Sequence, residues 1–190
     1  MNNTYFLLRH GRTIYQAEKT GLIYPWPEKP AVKLTEKGEE MIKSVAKVLK
    51  NKNINLIFSS AFFRTRQTAE IISKALGVKP IFDKRLVDVD FGIYNGGFVK
   101  DFDNAINSAR NRFLIRPENG ESRKDVKKRV KAVIEEIEKK YKNKNILIIS
   151  HGDPLFMLEG IIKGLKTDEE FIEFTKKTQP PEVGELRKIN

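Results

Sequence analysis

The chain has two histidines, His10 and His151, and both stand in the same setting. The apolar run Tyr5 to Leu8 leads into Arg9-His10-Gly11, and Asn145 to Ile149 leads into Ser150-His151-Gly152. A neutral imidazole with one ring nitrogen free can attack phosphorus and carry a phosphohistidine. Such a nucleophile needs cationic neighbours. Arg9 adjoins His10, and Arg64 lies in Ser59-Ser60-Ala61-Phe62-Phe63-Arg64-Thr65-Arg66. Guanidinium groups disfavour imidazolium and offer planar, bidentate contacts to phosphate that lysine does not. One histidine at a strand end is ordinarily a structural hydrogen-bonder, and one helix arginine is ordinarily a solvated charge. The matched contexts of both histidines point instead to chemistry, and the glycine after each permits close backbone approach to a ligand.

A leaving alkoxide also needs a proton, a role worth about 10²- to 10⁴-fold in rate. Asp88 and Asp90, in Arg85-Leu86-Val87-Asp88-Val89-Asp90-Phe91-Gly92, are the carboxyls on offer, and they face the same way if the segment is extended. Either could equally pin a turn or pair with an arginine. A metal held by the two histidines and an aspartate is disfavoured by the adjacent arginines, so no metal site is expected.

The elements that would position these residues alternate. Strands are expected at Tyr5–Leu8, Leu56–Phe58, Pro80–Phe82 and Asn145–Ile149. A loop with Pro25, Pro27 and Pro30 around Trp26 follows the first. Thr35 can cap a helix carrying Met41, Val45, Val48 and Leu49, and a second helix runs from about Ala61 to Leu76 before Gly77. A third starts at Ser122 with Asp125 as capping-box partner, and Val126, Val130, Val133, Ile137 and Tyr141 continue one face. Between them, around residues 92–120, Phe98, Phe102, Ile106, Ala109 and Phe113 follow a helical pattern, read as a cap-like insertion. The expected fold class is α/β, a three-layer α/β/α sandwich around a mostly parallel sheet, in one domain over residues 1–190. Ligands in such folds sit at the C-terminal ends of strands, where both histidine motifs and Ser59-Ser60 fall.

Composition narrows the partners. Cys is absent, which rules out disulfides and thiolate chemistry and fits a reducing cytoplasm. No run approaches the roughly 20 apolar residues of a membrane span, so no membrane partner is expected. The net charge of +11 lies largely on mixed helical faces such as Glu135-Glu136-Ile137-Glu138-Lys139-Lys140, so no nucleic-acid partner is expected either. No feature specifies an oligomeric state.

In order along the chain, the motifs resemble those of the histidine phosphatase superfamily, the phosphoglycerate mutase-like family. Arg9-His10-Gly11 with Thr13 is similar to its N-terminal signature, and Leu34-Thr35-Glu36-Lys37-Gly38 to its LTxxG helix start. Ser59-Ser60 with Arg64, Thr65, Gln67, Thr68 and Ala69 is similar to its SSxxxRTxQTA stretch. Leu86 to Gly96, Gly120-Glu121-Ser122 and Ser150-His151-Gly152 complete the resemblance. It implies a phosphoglycerate mutase-like fold, a phosphohistidine enzyme without cofactor or metal, and a small phosphorylated substrate. It further implies His10 as nucleophile, Asp88 as acid, and Arg9, Arg64, His151 and Gln16 around the phosphate, with Arg12, Thr13 and Gly152 lining the pocket.

Four departures stand out. Arg12 replaces an acidic or amide residue, Gln16 an asparagine and Asp88 a glutamate, while Asp153 stands where the family has an uncharged residue. Asp90 and Asp153 are therefore alternative donors. Arg12, with Arg110, Arg112 and Arg116 in the insertion, suggests a substrate with extra negative charge, unless these arginines are simply solvated. Phosphomonoester hydrolysis is the leading expectation. Mutase-type transfer and a phosphate-binding module without turnover are the alternatives.

Overall fold

The computed structural model describes residues 1–28 and 31–189; Pro30 of the proline-spotted loop lies outside them. Five strands form one sheet: β1 (Thr4–Arg9), β2 (Leu56–Ser59), β3 (Pro80–Phe82), β4 (Asn145–Ser150) and β5 (Leu186–Ile189). Their order is β3-β2-β4-β1-β5, parallel except for β5, which runs antiparallel to β1.

Strict alternation in the central strands builds the layers. Tyr5, Leu7, Ile146 and Ile148 face α6 (Arg123–Lys140) and α7 (Gly152–Ile162), meeting Val126, Val130, Leu155 and Met157. Phe6, Leu8, Leu147 and Ile149 face α2 (Glu36–Leu49) and α3 (Phe63–Leu76), meeting Ile42, Ala46, Ala69 and Ile72. Both faces are therefore covered, which explains why the central strands read as unbroken apolar runs.

Caps set the helix ends much as their residue types require. Thr35 Oγ1 accepts from the Gly38 N–H at 3.1 Å, and Ser122 and Asp125 cap each other at the start of α6. Gly77 closes α3 at φ 72°, its N–H reaching the Ser73 carbonyl. α6 stops at Lys140, and Tyr141 is already extended, though its ring still packs on Phe58.

The segment 92–120 departs from the single helix its periodicity predicts. A 3₁₀ turn (Gly92–Tyr94) is followed by two short helices, α4 (Val99–Ala105) and α5 (Ala109–Leu114). Ser108 makes the break: its hydroxyl accepts from the Asn111 N–H, starting a new helix where the pattern continued. α1 (Ile14–Ala17), α7, α8 (Asp168–Lys177) and β5 were not legible in the sequence. α7 escapes periodicity because Pro154 to Ile162 are all buried, so no polar face marks its turns.

Candidate active site

Register brings the two histidine motifs together. Arg9 pairs with Ser150 across β1 and β4, and the His10 N–H continues the ladder to the Ser150 carbonyl at 3.1 Å. His10 and His151 thus leave adjacent strands at the same sheet edge, their ring centroids 5.3 Å apart. On the other side of β4, the Ser60 N–H bonds the Ile149 carbonyl, and α3 starts at Phe63 with Arg64 in its first turn.

Among the described residues, four buried side-chain nitrogens have no hydrogen-bond partner: Arg9 Nε, His10 Nε2, Arg64 Nε and His151 Nδ1. Buried polar groups are ordinarily satisfied, so three orphaned donors on Arg9, Arg64 and His151 beside the free ring nitrogen of His10 suit a polyvalent acceptor with an electrophilic centre. A phosphoryl group has oxygens for the three donors and a phosphorus for the His10 lone pair.

The state of His10 follows from its partners. Its Nδ1 lies 2.9 Å from the Gly11 carbonyl, which can only accept, so Nδ1 carries the proton and Nε2 keeps its lone pair. Burial, then the Arg64 and Arg9 charges, holds its pKa well below the usual value. His151 is lowered likewise by burial and Arg64. Its Nε2 shares a 2.8 Å hydrogen bond with Ser60 Oγ, which also accepts from the Phe62 N–H. With the Ser60 proton given to Nε2, His151 Nδ1–H points toward the site. His151 stands at the N-cap position of α7 without a side-chain cap bond, and the first residue of that helix, Gly152, lies against the Arg9 guanidinium.

Arg64 is wholly buried and ion-paired at both ends, Nη1 to Glu28 at 2.7 Å and Nη2 to Asp88 at 2.8 Å. Asp88 Oδ2 also lies 3.5 Å from His151 Nδ1. Burial pushes the Asp88 carboxyl above its ordinary range, while Arg64 and Arg9 pull the other way. Asp88 therefore reaches the site despite its shorter side chain. Arg129 of α6 explains how. Its guanidinium gathers the carbonyls of Arg85, Val87 and Asp88 at 2.7–2.8 Å and pairs with Glu121, fixing the loop that carries Asp88.

The structure does not gather every expected residue. The 87–91 segment is not an extended strand, so Asp90 does not share the direction of Asp88. Its Oδ1 accepts from the Gly92 N–H at 2.9 Å and Asn95 Nδ2 at 2.6 Å, pinning the 3₁₀ turn. Gln16 Oε1 accepts from the Thr13 N–H and hydroxyl and its Nε2 donates to Tyr24 OH, so Thr13 and Gln16 brace one another. Arg12 donates to the Gln16 carbonyl and lines a surface cleft with Ala17, Thr35, Glu36 and Lys37, a lining that includes none of the four convergent residues. Asp153 is held by Arg123 Nε at 2.8 Å.

The glycines act through packing. Gly152 lies against the Arg9 guanidinium, and Gly11 lies against Gly38 of α2.

Glu28, Tyr24 and Arg129 were not singled out by the sequence. Glu28 Oε2 accepts from the Phe63 N–H at 2.5 Å, so this loop carboxylate caps α3 as well as holding Arg64. Tyr24 lies 4.0 Å from the Arg64 guanidinium and meets the His10 ring edge-on. Neither sits at a strand end, and Arg129 has the spacing of any helix charge, so spacing carried no signal for them.

Known proteins share both sequence and shape with this chain. The family model of the histidine phosphatase superfamily (branch 1) matches residues 5–173. The chain belongs to that superfamily. Among its curated relatives, the probable phosphoglycerate mutase GpmB of Escherichia coli O1:K1 / APEC is 34% identical over 168 residues, covering 84% of this chain and 74% of the relative. The mycobacterial glucosyl-3-phosphoglycerate phosphatase superposes with a TM-score of 0.80 at 20% identity, over 97% of this chain and 88% of that one. The alpha-ribazole phosphatase from Shigella flexneri superposes with a TM-score of 0.77 at 23% identity, over 98% and 90%. Histidine phosphatase motifs thus sit here on a histidine phosphatase fold. No helix among the described residues is long and apolar enough to cross a membrane.

Proposed function

We propose that this chain is a cytoplasmic, metal-independent phosphomonoesterase that works through a phosphohistidine on His10. The observation that carries it is the set of four buried, unsatisfied nitrogens on Arg9, His10, Arg64 and His151. His10 Nε2 attacks phosphorus while Arg9, Arg64 and His151 hold the equatorial oxygens. The P–O ester bond breaks, and its electron pair leaves on the alcohol oxygen, which takes the Asp88 proton. Water then attacks the phosphohistidine and gives a proton to the Asp88 carboxylate. The P–N bond breaks, Nε2 regains its pair and inorganic phosphate departs. Two guanidiniums beside the histidines supply the positive charge that a metal would otherwise provide and would repel a cation. The absence of cysteine supports the cytoplasmic setting.

Mutase-type transfer is the second reading, favoured by the GpmB relative. It differs only in an alcohol replacing water as acceptor. The first test is hydrolysis of para-nitrophenyl phosphate with EDTA by the wild type and His10→Ala. Turnover that survives EDTA and vanishes in the variant is expected. Turnover lost to EDTA would refute metal independence, and phosphate binding without turnover would indicate a binding module. A phosphoglycerate converted to its isomer, with no phosphate released, would favour the mutase.

A further inference from the structure

The Arg64 guanidinium is wholly buried, and each part of it meets a different neighbour. Its Cζ lies 4.0 Å from the centre of the Tyr24 ring and 5.3 Å from that of Phe62. Nη1 donates to Glu28 Oε1 at 2.7 Å, Nη2 donates to Asp88 Oδ2 at 2.8 Å, and Nε has no partner. Asp88 Oδ2 is also 3.5 Å from His151 Nδ1, so the Nη2 corner is the one beside the histidines.

A guanidinium grips phosphate best with two parallel N–H bonds from one edge. The candidates are the end formed by Nη1 and Nη2 and the side formed by Nε and Nη2. Glu28 takes the nitrogen that belongs only to the end, which leaves the side. Glu28 is itself fixed: its Oε2 accepts from the Phe63 N–H at 2.5 Å, and its side chain is 5% exposed. Tyr24, four residues earlier, is held through its OH by Thr13 Oγ1 and Gln16 Nε2. One short stretch of chain thus supplies a ring against the guanidinium and a carboxylate at its end.

We infer that Glu28 is a positioning residue of the phosphoryl site: by holding Nη1 it turns the Nε–Nη2 edge of Arg64 toward the phosphoryl group. This rests on the phosphatase reading. A long side chain ordered in advance loses no rotamer freedom when the substrate arrives, and misplacing a group by about 1 Å can cost about 100-fold in rate. The two carboxylates on Arg64 therefore have opposite effects on phosphate. Asp88 occupies a nitrogen of the phosphate-facing edge, and removing it frees a donor. Glu28 occupies the other nitrogen, and removing it lets Arg64 turn away. If charge alone mattered, losing either carboxylate would tighten phosphate binding.

The test is calorimetric titration of wild type, Glu28→Ala and Glu28→Asp with inorganic phosphate, each protein first shown to be folded by circular dichroism. Glu28→Asp keeps the charge and withdraws it by one methylene, so its effect is geometric. The Kd for phosphate should rise about tenfold or more in Glu28→Ala, the scale of one lost charge-assisted hydrogen bond, and should rise in Glu28→Asp as well. In Glu28→Ala, kcat/KM should fall about 10- to 100-fold, by the same factor on para-nitrophenyl phosphate and on an alkyl phosphate, because Arg64 serves the phosphoryl group in both. A tighter Kd in Glu28→Ala would make Glu28 a charge partner only, and an unchanged Kd in the folded variants would make it only a cap of α3; either overturns the proposal. A loss confined to the alkyl ester would place its action on Asp88 and overturn it too. Failure of the wild type to hydrolyse either ester, with phosphate still bound, would overturn the phosphatase reading, and the Kd values would still decide the role of Glu28.

Discussion

Replacing Asp88 by Asn separates its two roles, because the amide keeps the shape and loses both the proton and the charge. As a general acid, Asp88 should contribute about 10²- to 10⁴-fold, or about 2.7–5.4 kcal/mol of barrier. That contribution matters only where the leaving oxygen needs a proton. The variant should therefore lose about 10²- to 10⁴-fold in kcat with an alkyl phosphate and less than about tenfold with para-nitrophenyl phosphate, whose phenolate leaves unprotonated at neutral pH. Ground-state binding should move in the opposite direction. The Asp88 carboxylate sits 2.8 Å from Arg64 Nη2, the terminal nitrogen beside its unsatisfied Nε, and so competes with a phosphate for that edge. Charge-assisted hydrogen bonds of this kind are worth about 1.5–3 kcal/mol, and losing part of that competition should tighten the Ki for phosphate several-fold. Steady-state kinetics on both esters, with phosphate inhibition on the same preparations, reads all three quantities. Equal losses on the two esters would refute the acid role. A weaker Ki would show that Asp88 holds Arg64 in place more than it competes for it. Asp88→Glu, which restores the carboxyl one methylene further out, should recover most of the alkyl phosphatase activity.

The remaining predictions concern the scaffold. A Cβ on Gly38 would lie 2.1 Å from the Arg12 carbonyl oxygen. Gly38→Ala should thus push the Arg9-to-Thr13 loop off α2, costing about 3 kcal/mol by overpacking and most of the activity; a native-like denaturation midpoint and kcat/KM would disprove this. Glu28→Gln removes a carboxylate that is 5% exposed and serves both Arg64 and the Phe63 N–H. It should lower stability by about 2 kcal/mol, a fall in Tm of about 4–8 °C, and an unchanged Tm would remove Glu28 from the site's support. The pKa values of His10 and His151 lie below their unfolded value, so the unfolded chain binds protons that the native chain refuses. Stability should be fully present above about pH 6.5 and fall below it, by up to about 1.4 kcal/mol per pH unit for each histidine. Denaturant midpoints at pH 7, 6 and 5 read this directly, and His10→Asn should roughly halve the slope between pH 6 and 5. A flat wild-type profile would contradict burial of neutral imidazoles.

The central sheet, the caps of α2 and α6 and the end of α3 were legible because each depends on local chemistry. Two-sided burial makes an apolar run, a threonine or serine satisfies free N–H groups, and a glycine takes the left-handed turn. The convergence of Arg9, His10, Arg64 and His151 was legible for a similar reason. Motifs at the ends of adjacent parallel strands must meet at one edge. What spacing left open was where each side chain goes after the backbone delivers it. Asp88 and Asp90 are two residues apart, yet Arg129 holds one loop carbonyl after another so that Asp88 turns to Arg64, while Asn95 and the Gly92 N–H take Asp90. Arg12 adjoins the His10 loop but finds the Gln16 carbonyl. Glu28, in a loop with no periodicity, meets Arg64 only because the chain folds back over α3. Local chemistry therefore determined β1 to β4, α2, α3 and α6 and the convergence of Arg9, His10, Arg64 and His151. The tertiary structure decided which carboxylate faces them, because hydrogen bonds between distant segments orient side chains and leave no periodic trace in the sequence.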